Sequence, residues 1–262
     1  MKKLLNSRAF LWAALCVCAV AAVFAIRSAA AFMTPAPTPA PTPAPTPVPT
    51  PVPTARITPP PTPEPTPTPP PYDPPEELGI AQAINPHVIA WLEIPDTEIR
   101  YPVLLHPTED NHYLNITIDG YAGYPGSVYT NSMEGKDFDT FNTVIYGHNM
   151  ADGSYFGSLK NYNDRDFYAA HREIDIYTPE KAHVYKVFAV VAYDDRYITE
   201  RYDDAVEADR TAFLRSLLDF NPATFDDVAV NAESHILTLS TCIGGMPNNR
   251  LLIVAAEQEG DS

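Results

Sequence analysis

Cysteine is scarce in this chain of 262 residues, and only one of its three cysteines, Cys242, lies beyond residue 18. A disulfide within the segment after residue 72 is therefore excluded, and the fold of that segment must rest on a hydrophobic core rather than on cross-links. A single thiol in such a segment is either buried and inert or serves as a nucleophile.

Basic residues are scarce as well. Five of the 17 Lys and Arg residues, but only one of the 33 Asp and Glu residues, precede residue 72. Residues 72–262 therefore carry 12 basic against 32 acidic side chains, a net charge of −20. A domain this negative repels nucleic acid and anionic lipid headgroups, so we expect no nucleic-acid partner. The segment is long enough to bury one hydrophobic core.

The first 33 residues predict a membrane anchor. Residues 9–26 form an apolar run of 18 residues without a charged side chain, and basic residues stand on both sides of it. A helix of this length nearly crosses the hydrocarbon of a bilayer. The basic residues ahead of the run predict a cytoplasmic N-terminus, and hence a single-pass protein of the cell membrane whose remaining residues are extracellular. A cleaved signal peptide is the alternative, although the apolar run is longer than the core of most signal peptides.

Proline dominates the next segment, residues 34–71, which contains 19 of the 29 prolines of the chain. Proline fixes the backbone near the polyproline conformation and offers no N–H donor for a sheet. We expect an extended spacer here, with a disordered linker as the alternative. The folded domain is therefore predicted to begin at residue 72 and to continue to residue 262.

Short apolar runs bounded by turn residues characterise this predicted domain. Runs rich in β-branched and aromatic residues predict strands over 87–94, 98–105, 142–147, 173–178, 183–193, 235–241 and 250–256. Helical spacing appears over 76–84, 155–162 and 207–220. Many strands with few helices favour a mainly β fold, a closed or nearly closed barrel with peripheral helices packed outside it.

Cys242 stands at the end of one predicted strand, and residues 243–249 after it have the composition of a loop. Arg250 opens the next predicted strand, so a guanidinium and the thiol are expected to face one cleft. An ordinary surface salt bridge is an equally good interpretation of Arg250 from its spacing alone. A thiol with an ordinary pKa of about 8.5 also needs a base. Among the seven histidines, His148 fits best because it too follows directly after an apolar strand.

The other histidines offer no comparable context. His106 and His112 are close in sequence, but without a nearby cysteine or a spaced pair of further ligands they do not predict a metal site. We therefore expect no metal and no organic cofactor.

Three motifs together resemble the sortase family, most closely its class B. They are Thr238-Leu239-Ser240-Thr241-Cys242, the downstream Arg250, and the upstream Tyr146-Gly147-His148-Asn149. Further similarity lies in Trp91-Leu92-Glu93-Ile94-Pro95-Asp96-Thr97, Tyr101-Pro102-Val103, Gly126-Ser127-Val128-Tyr129 and the helix over 207–220. The resemblance covers nearly all of 76–256.

The resemblance implies a sortase-type closed barrel of about eight strands and a Gram-positive, membrane-anchored cysteine transpeptidase. Such an enzyme cleaves a C-terminal sorting signal, here of the NPxT or PxTG type, after Thr. It transfers the surface protein that bears the signal to an amine of a peptidoglycan precursor. By the same resemblance Cys242 is the nucleophile, His148 the general acid and base, and Arg250 the group that stabilises the oxyanion or positions the substrate.

Ser240, Thr241 and Asn149 are secondary candidates for substrate binding, with strand packing as an equal interpretation of the first two. Gly244 stands two residues after the nucleophile, so no carboxylate at that position can orient the histidine, and a dyad with Arg250 is expected rather than a triad.

Three alternatives to this function remain open from the sequence. A sortase that polymerises pilins would differ only in taking its amine from a pilin lysine. A papain-like cysteine protease would hydrolyse its substrate, although that family has its Cys before its His. A binding module on a stalk, with a relic site, would have an inert thiol.

Overall fold

The computed structural model describes residues 72–132, 135–220, 222–225 and 228–258. The predicted membrane anchor over 1–33 and the proline-rich spacer over 34–71 lie outside the described residues. Within the described ranges, every helix is too short or too polar to cross a bilayer.

Nine strands and four α-helices make up the described part of the chain. The strands are β1 (Val88–Glu93), β2 (Arg100–Leu105), β3 (Val128–Thr130), β4 (Asn142–Tyr146), β5 (Glu173–Tyr177), β6 (Ala182–Asp194), β7 (Thr224–Phe225), β8 (Ile236–Ile243) and β9 (Met246–Glu257). The helices are α1 (Glu76–Ile84), α2 (Arg165–Ala170), α3 (Ile198–Arg201) and α4 (Glu207–Asp219). Two 3₁₀-helices cover His112–Leu114 and Gly157–Asn163.

Eight of the strands close into a barrel in the order β5-β1-β2-β3-β4-β8-β9-β6, with β6 pairing back to β5. The short strand β7 adds to the edge of β6. The pairs β2–β3 and β4–β8 are parallel, while the other pairs of the barrel are antiparallel. The prediction of a mainly β, closed barrel of about eight strands is confirmed.

Side chains alternate between the two faces of each strand, and in a barrel of this size one face fills the interior. In β8 the odd-numbered Leu237 and Leu239 point into the barrel core, and in β9 Leu251 and Ile253 do the same. The interior is therefore a packed hydrophobic core rather than a channel.

The outer face of the barrel carries two further apolar layers. Phe213 and Leu217 of α4 pack on the even-numbered Leu252 and Val254 of β9. The other layer, under α1, contains Leu78, Ala81, Val88, Leu104, Tyr113 and Tyr129. The even-numbered side chains near the ends of β4, β8 and β9 thus face outward, toward the region between these layers.

The helical spacing over 155–162 corresponds to a helix of the tighter 3₁₀ kind, Gly157–Asn163. One local prediction was wrong. The segment 243–249, expected as a loop, is mostly strand, because β8 continues to Ile243 and β9 begins at Met246. Only Gly244 and Gly245 form the turn, and Gly245 takes a positive φ of 78°, which glycine adopts without the steric cost that a side chain adds.

Candidate active site

Cys242 and Arg250 face each other across the β8–β9 hairpin. They are direct partners in the antiparallel register of the two strands, so their side chains emerge on the same face of the sheet. Because Leu239 and Leu251 point inward, the even-numbered pair points outward. The sequence predicted this juxtaposition, but from a longer loop than the two-residue turn that produces it.

His148 reaches the same place through the parallel pairing of β4 with β8. The register aligns Tyr146 with Ser240, and the Gly147 amide extends the ladder by donating to the Ser240 carbonyl over 3.2 Å. Continued by two residues on each strand, this register would place His148 beside Cys242, and both residues line the same cleft. Cys242 therefore lies between His148, on the β4 side, and Arg250, on the β9 side.

Two of the secondary candidates connect these strand ends. The buried Thr241 donates its hydroxyl to the Gly147 carbonyl over 2.7 Å. The Asn149 amide Nδ2 donates to the Cys242 carbonyl over 2.8 Å. In these contacts Thr241 and Asn149 fix the backbone on which Cys242 and His148 stand.

A cleft with a volume of about 390 Å³ contains the three predicted catalytic side chains and the secondary candidates Ser240 and Thr241. Tyr129, Tyr146 and Leu252 contribute to its wall, and the segment 194–198 forms one side. Cys242, the free cysteine of the described residues, is exposed to solvent. A peptide can therefore approach the thiol from outside the barrel.

A larger cavity, of about 530 Å³, lies elsewhere on the surface and is lined by acidic residues that include Asp96, Glu98 and Asp152. Cys242, His148 and Arg250 are not among the residues that line it, so we assign the chemistry to the smaller cleft.

The orientation of His148 is set by a backbone group. Its Nε2 lies 2.8 Å from the Leu114 carbonyl oxygen, and a carbonyl can only accept a hydrogen bond, so Nε2 carries a proton. In the neutral ring Nδ1 is then the basic nitrogen. The exposed ring of Tyr124 also contacts His148 edge-on, with ring centroids 4.7 Å apart.

The guanidinium of Arg250 is anchored to its own hairpin. One terminal nitrogen, Nη1, donates to the Pro247 carbonyl over 3.0 Å and to the Asn249 carbonyl over 3.1 Å. These bonds hold the planar group by one corner, and the geometry of a guanidinium leaves its other donors pointing in different directions.

A hydrogen-bonded row of polar side chains forms another part of the cleft. Tyr129 donates to Asn111 Oδ1 over 2.9 Å, and Asn111 Nδ2 donates to the Tyr197 hydroxyl over 3.3 Å. Burial raises the pKa of the Tyr129 hydroxyl well above its ordinary value, and the nearby Tyr197 and Cys242 raise it further. Tyr129 therefore remains a neutral donor at any physiological pH.

Sequence reasoning missed Leu114, Asn111 and Tyr197 as cleft residues, and it missed Tyr124 as a neighbour of His148. Leu114 acts through its main chain, which carries no sequence signal. The tyrosines and Asn111 lie in loops without periodicity. The one indication in the sequence was the presence of aromatic residues between the predicted strands.

His106 and His112 have a third potential ligand that was not considered in the sequence analysis. Glu109, which lies between them in sequence, offers a carboxylate oxygen, and the ligand atoms of the three residues lie within 4.8 Å of one another.

Comparison with known proteins identifies the family and the fold of the chain. The sortase-domain family model matches residues 92–259. Sortase B of Listeria monocytogenes is 32% identical over 169 residues, which cover 64% of this chain and 67% of that protein. Sortase B of Staphylococcus aureus is 28% identical over 169 residues, which cover 62% of this chain and 65% of that protein.

Among solved structures, sortase B from Bacillus anthracis in complex with AAEK1 superposes with a TM-score of 0.63 and 28% identity. The superposition covers 72% of this chain and 89% of that one. These matches contradict the alternative of a papain-like protease.

Proposed function

The chain belongs to the sortase family of cysteine transpeptidases, and its relatives in Listeria monocytogenes and Staphylococcus aureus are class B sortases. From this membership we propose its substrates and the roles of its residues. The enzyme cleaves a C-terminal sorting signal of the NPxT or PxTG type after Thr, and it transfers the surface protein to an amine of a peptidoglycan precursor. The observation that carries the proposal is the exposed Cys242 between His148 and Arg250 in one cleft.

Cys242 attacks the carbonyl carbon of the Thr residue of the signal. The attack forms a C–S bond and converts the carbonyl into a tetrahedral oxyanion. Collapse of this intermediate breaks the C–N bond, so that the protein remains on the enzyme as a thioester while the C-terminal fragment leaves as an amine.

His148 carries the proton through both half-reactions. With Nε2–H donating to the Leu114 carbonyl, Nδ1 takes the thiol proton and returns it to the leaving amine. In the second half-reaction Nδ1 deprotonates the incoming amine, and the thiol is regenerated when the new amide forms. Because an acyl bond is exchanged for another acyl bond, the reaction needs no nucleotide.

Arg250 stabilises the oxyanion. Nη1 is bound to the hairpin carbonyls, and the remaining N–H groups of the guanidinium are directed to the oxygen that becomes negative. Charge-assisted hydrogen bonds of this kind are about twice as strong as neutral ones. The domain carries a net charge of −20, which repels a developing anion. A cation beside the nucleophile offsets this repulsion.

Location at the cell surface follows from the same proposal. The apolar run over 9–26 anchors the chain in the membrane, and the proline-rich segment 34–71 holds the catalytic domain away from it. The anchored enzyme then meets surface proteins and wall precursors on the outer side of the membrane.

A peptide assay tests the proposal. The full chain is incubated with peptides that contain NPxT or PxTG motifs and with an amine acceptor, and the products are identified by mass spectrometry. We expect a peptide–amine adduct with the wild-type chain and an acyl adduct of the peptide on Cys242. Cys242→Ala should abolish both, and undiminished cleavage in this variant would exclude Cys242 as the nucleophile.

The acceptor distinguishes wall anchoring from pilin polymerisation. A peptidoglycan stem peptide and a lysine-bearing pilin peptide are offered in competition at equal concentration. Preferential transfer to the stem peptide supports wall anchoring, whereas preferential transfer to the lysine peptide contradicts it.

A further inference from the structure

A second cluster of metal-ligating side chains lies outside the catalytic cleft, on the segment that follows β2. His106, Glu109 and His112 occur at intervals of three residues, and the folding of this segment brings their ligand atoms within 4.8 Å of one another. We propose that these three residues bind a divalent transition-metal ion, such as Zn²⁺. Two imidazoles with one carboxylate are a ligand set that suits Zn²⁺ and its neighbours in the first transition row, rather than Mg²⁺ or Ca²⁺.

The ligand atoms of the cluster are spaced nearly as a tetrahedral metal site requires. His112 Nδ1 lies 2.8 Å from Glu109 Oε2, and the rings of His106 and His112 stack with centroids 4.0 Å apart. Metal–ligand bonds of about 2.0–2.2 Å place ligand atoms about 3.3–3.6 Å apart in a tetrahedron. The ligand atoms lie within 4.8 Å of one another, so we expect small side-chain rotations to bring them to this spacing.

Binding would exchange existing contacts for metal bonds. The hydrogen bond between His112 Nδ1 and Glu109 Oε2, 2.8 Å long, is given up when both atoms ligate the ion. His106 Nδ1 accepts the Glu109 amide over 2.9 Å and the Thr108 amide over 3.4 Å. Ligation through this nitrogen gives up those two bonds, which are both local to the segment.

The surroundings of the cluster favour a cation. His106 and His112 are partly buried and Glu109 is exposed, so the site opens to solvent and water can complete the coordination. The neighbouring Asp110 is already bound to the amide and hydroxyl of Ser132 over 2.8 Å each, and it adds negative charge without competing as a ligand. His87 is a further imidazole nearby, with its ring centroid 5.2 Å from that of His106.

A metal ion at this site would be close in sequence to residues that line the catalytic cleft. An ion held by His106 and His112 fixes both ends of the 106–112 loop. Asn111, in this loop, and Leu114, two residues beyond it, line the cleft, and the Leu114 carbonyl holds His148. The binding itself does not depend on the proposed transpeptidation and is measured without it.

Metal titration of the full chain tests the inference, on a background in which Cys16, Cys18 and Cys242 are all replaced by Ala so that no thiol acts as a competing ligand. Zn²⁺ binding is measured by calorimetry, and Co²⁺ binding by its visible absorption spectrum, which reports the coordination geometry. We expect one ion per chain. His106→Gln and His112→Gln should each weaken binding by about tenfold or more.

His171→Gln is the matched control, because it also removes one imidazole but lies outside the cluster. It should leave the affinity within about twofold of the parent. Absence of saturable binding, or equal affinity in His112→Gln and His171→Gln, would overturn the proposal. If circular dichroism shows that a histidine variant fails to fold, Glu109→Gln decides, since this exposed side chain can be neutralised without disturbing packing.

Discussion

Replacement of Arg250 by lysine separates the charge of this residue from its geometry. In the wild type, Nη1 is occupied by the carbonyls of Pro247 and Asn249 at 3.0 and 3.1 Å. The remaining donors of the planar fork are thereby fixed in direction. A lysine keeps the positive charge but has all its donors on one nitrogen, so it cannot satisfy the hairpin carbonyls and also aim a fixed donor at the oxyanion.

The expected loss follows from this difference. Removal of one oxyanion donor costs about 100- to 1,000-fold in kcat, or about 2.7–4 kcal/mol. Because Arg250→Lys retains the charge, we expect the lower end, a fall in kcat of about 100-fold with little change in KM. The same substrate binds in the ground state, and only the interaction formed in the transition state is lost.

The assay is steady-state cleavage of a quenched fluorescent signal peptide, with kcat and KM determined separately. Arg201→Lys is the matched control, since Arg201 lies on α3, where its guanidinium contacts the ring of Tyr202, and we expect wild-type kinetics from it. A kcat for Arg250→Lys within about threefold of the wild type would refute the role of a directed guanidinium. A rise in KM at unchanged kcat would instead assign Arg250 to substrate binding.

Three further substitutions test the stability of the fold. Burial raises the pKa of Asp175 from 3.8 to about 6, so its ionised form destabilises the fold above pH 6. Asp175→Asn should raise the free energy of unfolding at pH 7 by at most about 3 kcal/mol and lose this gain below pH 3.8, as measured by urea denaturation. In Gly157→Ala the added Cβ would collide with the Met150 carbonyl, so we expect a lower melting temperature and a reduced kcat. Gly123→Ala is the control, because Gly123 has open space around it, and this variant should behave as wild type. Thr241→Val removes one hydroxyl bond and should cost about 1–2 kcal/mol in thermal unfolding; an unchanged stability would show that this bond does not tie β8 to β4.

The strand pattern was predictable because most strands of the barrel have a clear apolar period or run. The seven predicted strands all exist, and their predicted ends differ from the observed ones by at most four residues. β3 and β7 were missed because three and two residues are too few to show a period. The strand order was not predictable from pattern alone, since the parallel β2–β3 and β4–β8 pairs join segments that are far apart in the chain.

The error over 243–249 has a physical cause. Pro247, Asn248 and Asn249 disfavour strands by propensity, yet β9 begins at Met246 because pairing with β8 and β6 supplies partners for its backbone. Tertiary pairing here outweighs local preference. The same limit applies to 155–162, where apolar spacing was compatible with two kinds of helix.

The candidate site was predictable in its side chains but not in its supports. Cys242, His148 and Arg250 are recognisable by residue type at strand ends, and one cleft contains all three. The Leu114 carbonyl that orients His148 could not be recognised, since any residue supplies the same group. The metal-ligating role proposed for Glu109 was missed for a different reason, as an exposed acid in an acidic domain has no distinctive context.

The two-glycine turn between β8 and β9 has a practical consequence for altering this enzyme. Because Cys242 and Arg250 are register partners in a short hairpin, their separation is set by the sheet and not by the length of the surrounding loops. The wall formed by 194–198 can then be exchanged or lengthened while Cys242 and Arg250 keep their spacing, whereas Leu114 has to stay in place because its carbonyl orients His148. Engineering of a new peptide preference should therefore begin with the segment 194–198 and leave the β8–β9 hairpin unchanged.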